Sequence, residues 1–256
     1  MARLTIEDVS VKFGGVHALR SVSFAVETGA IVGLIGPNGA GKSTLLNCIS
    51  GITRPTTGRT LLDGAVLSAL PPARVARKGI GRVFQHPELA PDLTARENLL
   101  IACHNTMTYG LVGEFLMLPG ARRQENAAEN KVSSLLMRLG LSAIEGRRVR
   151  DLPYGHRKLI DLGRALLMEI RFLLLDEPIA GLNDEEIAKL GDLILALRRE
   201  VRLGVIIVEH NMAFVSRLCD RLIALDLGEA IAEGAPAEVL GHPKVQAAYL
   251  GEAPNA

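Results

Sequence analysis

The stretch Gly36-Pro37-Asn38-Gly39-Ala40-Gly41-Lys42-Ser43-Thr44 constrains this chain more than any other. It satisfies G-x-x-x-x-G-K-[ST], a glycine-rich loop that joins a strand to a helix and cradles phosphate. Ile31 to Ile35 before it form a short apolar run of strand type, and Leu45, Leu46, Cys48 and Ile49 after it suit a buried helix face. A strand that turns sharply into a helix aims several backbone N–H groups at one point, where the positive end of the helix dipole also lies. Gly36, Gly39 and Gly41 allow positive φ and a close approach of backbone to phosphate. Lys42 is expected to reach the β- and γ-phosphates, and the Ser43 hydroxyl to ligate Mg²⁺. A glycine-rich turn matching by accident would not bring the lysine, the hydroxyl, the strand and the helix together. The expected ligand is a nucleoside triphosphate.

With 256 residues the chain can bury a full core, as one large domain or a domain with a sub-lobe. Its 48% hydrophobic and 22% charged content suits an α/β protein. A net charge of +1 lacks the basic excess that nucleic acid demands, so no nucleic-acid partner is expected. Cys48, Cys103 and Cys219 are far apart and sit among apolar neighbours, which fits small core residues in a reducing compartment. The N-terminal MARLTIEDVSVKF has no long apolar core of the signal-peptide kind. No apolar run approaches the roughly 20 residues of a membrane helix; the nearest, Leu111 to Leu118, contains Glu114. Membrane association is therefore expected through a partner.

Leu4 to Val11 and Ser21 to Val26 alternate apolar and polar residues, predicting a small antiparallel sheet. Phe13, on the glycine-flanked turn between them, is placed either to stack on an adenine ring or to pack in the core. A short strand at Arg59 to Leu62, a helix from Pro71-Pro72 to about Lys78 and a strand at Ile80 to Gln85 follow. Gln85 at that strand's carboxyl end can ligate Mg²⁺, orient a water, or be a plain surface amide. Thr94 and Glu97 form a capping box for a helix through Cys103. Glu125 to Leu139, with Val132, Leu135, Leu136 and Leu139 on one face, predicts an amphipathic helix. Residues 86–152 are read as a helical lobe inserted into a sheet domain made of 1–85 and 153–256.

Pro153 then opens a helix over Arg157 to Met168. Phe172 to Leu175 is a continuous apolar run ending in Asp176-Glu177, as in a strand buried on both faces of a parallel sheet. Asp176 can hold Mg²⁺ through water. Glu177 is placed to polarise an attacking water, with helix capping as the structural alternative. Helix Asp184 to Arg199 and strand Val205 to Val208 lead to Glu209-His210, where His210 is a second strand-tip group, structural or catalytic.

Together these residues resemble the nucleotide-binding subunit of an ATP-binding cassette (ABC) transporter over nearly the whole chain. The resemblance implies the P-loop fold of ABC ATPases, a mixed sheet core with an N-terminal antiparallel subdomain and an inserted α-helical lobe. It also implies that Phe13 stacks on adenine, that Gln85 is the Q-loop and that Asp176 and Glu177 are the second acidic motif. Leu152 to His156 would be the signature loop, Ala180-Gly181-Leu182-Asn183 the D-loop and His210 the switch histidine. In the superfamily two subunits close head to tail, so that Pro153, Tyr154, Gly155 and His156 would act in trans on ATP held by the partner's phosphate loop. The chain is most similar to the longer ATPase of branched-chain amino-acid importers, through Leu93 to Leu99, the segment Thr106 to Arg123, Tyr154-Gly155 and the tail Tyr249 to Ala253. That likeness implies a second ATPase (a copy or a paralogue), two membrane permease subunits and, indirectly, a solute-binding protein, with this chain at the cytoplasmic face of the cell membrane.

The usual signature L-S-G-G-Q reads Leu-Pro-Tyr-Gly-His here, and Asn183 replaces the common D-loop aspartate. Rival readings are the ATPase of a urea, amide or lipopolysaccharide transporter, a soluble ABC protein acting on DNA or ribosomes, and a regulatory module without turnover. Glu177 and His210 argue against the last.

Overall fold

The computed structural model describes residues 1–104 and 119–250. The apolar run 111–118, most of the segment 106–123 and the tail 251–253 lie outside the described residues. The chain forms two compact units, one of Met1–Gln85 with Arg171–Ala256 and one of His86–Ile170.

In the first unit, β1 (Arg3–Phe13) and β2 (Val16–Glu27) pair antiparallel, as their alternation predicts. β4 (Thr57–Leu62) and the short β5 (Ala65–Val66) extend this sheet, in the order β2-β1-β4-β5. Leu4, Ile6, Val9 and Val11 of β1 are buried on its inner face. The second sheet contains β3 (Ile31–Ile35), β6 (Ile80–Val83), β7 (Phe172–Asp176), β8 (Gly204–Val208), β9 (Arg221–Asp226) and β10 (Glu229–Gly234). Its order is β10-β9-β3-β8-β7-β6, parallel except for the antiparallel edge strand β10. Every residue of β3, β7 and β8 is buried, which is why these strands are apolar runs without alternation. The helices of this unit are α1 (Lys42–Ile49), α2 (Pro72–Arg77), α6 (Asp184–Val201), α7 (Met212–Leu218), α8 (Pro236–Leu240) and α9 (Pro243–Leu250).

The second unit is helical: α3 (Ala95–His104), α4 (Pro119–Arg138), two short 3₁₀ turns and α5 (Tyr154–Leu167). The Thr94 capping box forms, with Thr94 N donating to Glu97 Oε2 at 2.7 Å and Glu97 N to Thr94 Oγ1 at 3.2 Å. Asn98 is buried, accepts from Ala90 N at 2.8 Å and donates to Ala90 O at 3.0 Å, fixing the chain where it enters α3.

Some boundaries differ from the sequence reading. α4 starts before Glu125, and β6 ends at Val83 rather than Gln85. α5 begins at Tyr154 with Pro153 as its extended N-cap, not as its first helical residue (φ −54°, ψ 153°). α5 packs on α3 and α4, so the helical unit runs to Ile170 instead of ending at 152.

Candidate functional site

Four neighbouring parallel strands of the order β3-β8-β7-β6 carry the candidate residues on their carboxyl ends. This is where open α/β sheets place their ligands. The phosphate loop leaves β3, and Gly41 caps α1 in the left-handed region at φ 99°. A Cβ there would stand 2.5 Å from Ala18 O of β2, so only glycine fits beneath that strand. Lys42 is buried, its Nζ donating to Gly36 O at 2.6 Å and Pro37 O at 2.7 Å. Its charge is thus stored inside the loop where phosphate would be received.

Ser43 Oγ, in the first turn of α1, donates to Asp176 Oδ1 of β7 at 3.2 Å. Two hard oxygens at this spacing fit Mg²⁺, which takes one or two protein ligands and leaves the rest to phosphate and water. Among the described residues no cluster of three His, Cys, Asp or Glu side chains offers an alternative metal cage.

Glu177 follows Asp176 in the left-handed region at φ 49°, a conformation that costs a non-glycine residue about 1–3 kcal/mol. Its N–H donates to Val208 O at 2.9 Å, which holds the turn against β8. Gln85 Nε2 donates to Glu177 Oε2 at 2.8 Å, and His210 Nε2 lies 2.9 Å from Glu177 Oε1. Three residues singled out separately in the sequence therefore meet on one carboxylate. The Gln85 contact runs through its amide nitrogen, and the amide oxygen is the atom with the chemistry to ligate a metal. The helix-cap alternative for Asp176-Glu177 fails, because α6 starts at Asp184 under the cap of Asn183. Asn183 Oδ1 accepts from Glu186 N at 3.0 Å, so replacing the usual aspartate preserves this cap.

Two site residues escaped the sequence reading. Arg82, in the middle of β6, donates to Asp176 Oδ2 at 3.0 Å, Asn47 Oδ1 at 2.6 Å and Ser50 Oγ at 2.9 Å. It also lies 4.6 Å over the Phe84 ring. The side chains of Arg82 and Asp176 are only 7% and 10% exposed, so this is a buried ion pair. Burial pulls the Arg82 pKa down, and Asp176 opposes that pull. The pair ties α1, β6 and β7 together and turns Asp176 Oδ1 toward Ser43. Arg82→Met is expected to cost about 3–5 kcal/mol of stability by stranding the Asp176 charge, read from urea unfolding. Arg82→Lys should rescue little, since an ammonium lacks the planar fork that spans three acceptors. A cost under about 1 kcal/mol, as for an exposed pair, would refute this role.

The second is Glu209, beside His210 and 4% exposed. It accepts from Ile179 N at 3.0 Å and His210 N at 3.1 Å, joining the turn after Glu177 to the turn that carries His210. Burial raises its pKa, while these backbone N–H groups and that of Asn211 pull it back.

Phe13 is 55% exposed at the end of β1, which excludes the packing alternative. In the helical unit Pro153 caps α5, Gly155 is buried and Lys158 Nζ lies 5.3 Å from the centre of the Tyr154 ring. His156 Nδ1 is enclosed with no hydrogen-bond partner among the described residues.

A family model described as ABC transporter matches residues 19–180, and one described as branched-chain amino acid ATP-binding cassette transporter matches 231–254. The high-affinity branched-chain amino acid transport ATP-binding protein LivG of Escherichia coli (strain K12) is 37% identical over 250 residues, covering 98% of each chain. The protein BraF of Pseudomonas aeruginosa, of the same description, shares 37% identity with the same coverage. In three dimensions the chain is similar to the ADP conformation of an ATP-binding cassette of an ABC transporter. The TM-score is 0.84 at 31% identity, over 98% of this chain and 99% of that one.

Proposed function

The chain belongs to the ABC transporter ATP-binding family, and on that premise we propose that it is the ATP-hydrolysing subunit of an importer for branched-chain amino acids. The observation that carries the ATPase assignment is Glu177, held between Gln85 and His210 one residue from Asp176. The solute assignment is supported by likeness to LivG and BraF over almost their whole length, together with the C-terminal match.

In this reading Phe13 supports the adenine ring, and the loop Gly36 to Thr44 surrounds the phosphates. Lys42 exchanges its two carbonyl partners for β- and γ-phosphate oxygens. Ser43 and Asp176, with the Gln85 amide oxygen, are the residues to hold Mg²⁺, which when bound neutralises charge on those phosphates. Glu177 accepts a proton from water as its oxygen bonds to the γ-phosphorus and the bond to the ADP oxygen breaks. His210 keeps the Glu177 carboxylate aimed. Pro153 to His156 serve the ATP of a second cassette, closing a head-to-tail dimer. Among the described residues no helix is long and apolar enough to cross a membrane. The chain is proposed to reach the cytoplasmic face of the membrane through two permease subunits, which a solute-binding protein supplies.

Lys42→Ala removes a charge-assisted contact to phosphate, so ATP affinity by displacement of a fluorescent nucleotide should fall at least about tenfold. Cells relying on this variant should lose uptake of labelled leucine, isoleucine and valine but keep that of labelled urea. Wild-type ATP affinity would overturn the site, and selective loss of urea uptake would overturn the solute.

A further inference from the structure

The last helix reaches back to the phosphate loop. Gly36 N donates to the Tyr249 hydroxyl at 2.7 Å, across 213 positions of sequence. Gly36 O, on the other side of the same Cα, accepts from Lys42 Nζ. The two peptides flanking one glycine are thus gripped by two different side chains. Gly36 has φ 143°, and a Cβ on it would come within 2.0 Å of Leu225 O, so no other residue can stand there. Glycine buys that fit with a wide choice of conformations, and a loop free to sample them is poorly prepared for phosphate. α9 is anchored for its part by the buried Val245 and by packing on α8 and β10. A fixed element therefore presents the hydroxyl.

We propose that Tyr249 is a positioning residue for nucleotide binding, through which α9 holds Gly36, and with it the Lys42 acceptor, in the conformation that receives phosphate. The proposal rests on the nucleotide site described above and adds a sensor to it. If the Tyr249 hydroxyl favours the nucleotide-competent loop, bound nucleotide must favour the docked α9 by the same factor, since coupling is reciprocal. The hydroxyl's hydrogen bond is to the phosphate loop at Gly36 N, so its effect is expected on binding and not on the bond-breaking step.

The test uses the full chain as wild type, Tyr249→Phe and Lys42→Ala. Tyr249→Phe deletes one oxygen and leaves Gly36 N–H without its acceptor. It should weaken ATP binding, and raise KM, by about tenfold, the effect of one lost buried hydrogen bond, with kcat at saturating ATP within about twofold of wild type. In wild type, ATP should slow amide hydrogen exchange over 243–250, and in Tyr249→Phe that protection should vanish. Unchanged ATP affinity in Tyr249→Phe, or wild-type exchange over α9 that ignores ATP, overturns the proposal. Equal losses in kcat and kcat/KM would also overturn it. If Lys42→Ala binds ATP normally as well, it is the site that fails; if only Tyr249→Phe does, the site stands and the sensor falls.

Discussion

A chain carrying Glu177→Gln is expected to bind ATP as tightly as wild type and to hydrolyse it about 10²-fold more slowly, or slower still. The carboxylate accepts Gln85 Nε2 on one oxygen and meets His210 Nε2 with the other. Glutamine keeps the length and one acceptor oxygen, which can remain on Gln85. Its new NH₂ then faces His210, whose ring nitrogen can accept by changing tautomer. The local frame survives, and what disappears is a group able to take a proton from water. ATP affinity and single-turnover hydrolysis, measured on one preparation, separate the two effects. Because turnover normally reopens the closed dimer, the variant should also accumulate as an ATP-bound dimer in size-exclusion chromatography. Near-wild-type turnover would move the base elsewhere, with His210 the next candidate.

The phosphate loop, Asp176-Glu177 and His210 could be read from sequence because their chemistry is local. Each is a polar group ending an apolar run, and a buried parallel strand has few other reasons to end that way. The strand order was not local. Nothing in the order of β6, β7 and β8 along the chain says that their tips converge, so Gln85, Glu177 and His210 emerged as separate candidates and only the sheet joined them. Arg82 and Glu209 were passed over for a different reason. A charge inside or at the end of a strand reads as a solvated side chain, and only tertiary packing shows that both side chains are buried and hydrogen-bonded. β9 went unread although it pairs with β3, the strand before the phosphate loop, because Leu222 to Leu225 is too short to distinguish from a buried helical turn. β10 reads Glu-Ala-Ile-Ala-Glu-Gly, small and polar as an edge strand is. The bond from Tyr249 to Gly36 joins residues 213 apart and has no signature in either segment.

Gly155→Asp is expected to leave ATP affinity of the isolated subunit unchanged while ATPase activity of the assembled transporter collapses. Gly155 is the second residue of α5, behind Pro153, at a helix start whose unpaired N–H groups and dipole suit phosphate. Pro153 brings no N–H to that end, and the hydroxyl of the usual signature serine is missing, so the backbone after it would have to carry more of any interaction with phosphate. An aspartate at 155 would set a negative charge against the partner's γ-phosphate, and like charges facing each other in a dry interface cost several kcal/mol. Gly155→Ala separates charge from bulk: if repulsion is the cause, alanine should retain far more activity than aspartate. Thermal unfolding of both variants shows whether the helical unit itself is intact. Should Gly155→Asp weaken ATP binding to the isolated subunit as much as it lowers turnover, Pro153 to His156 would serve their own chain's nucleotide, and the head-to-tail arrangement would be wrong.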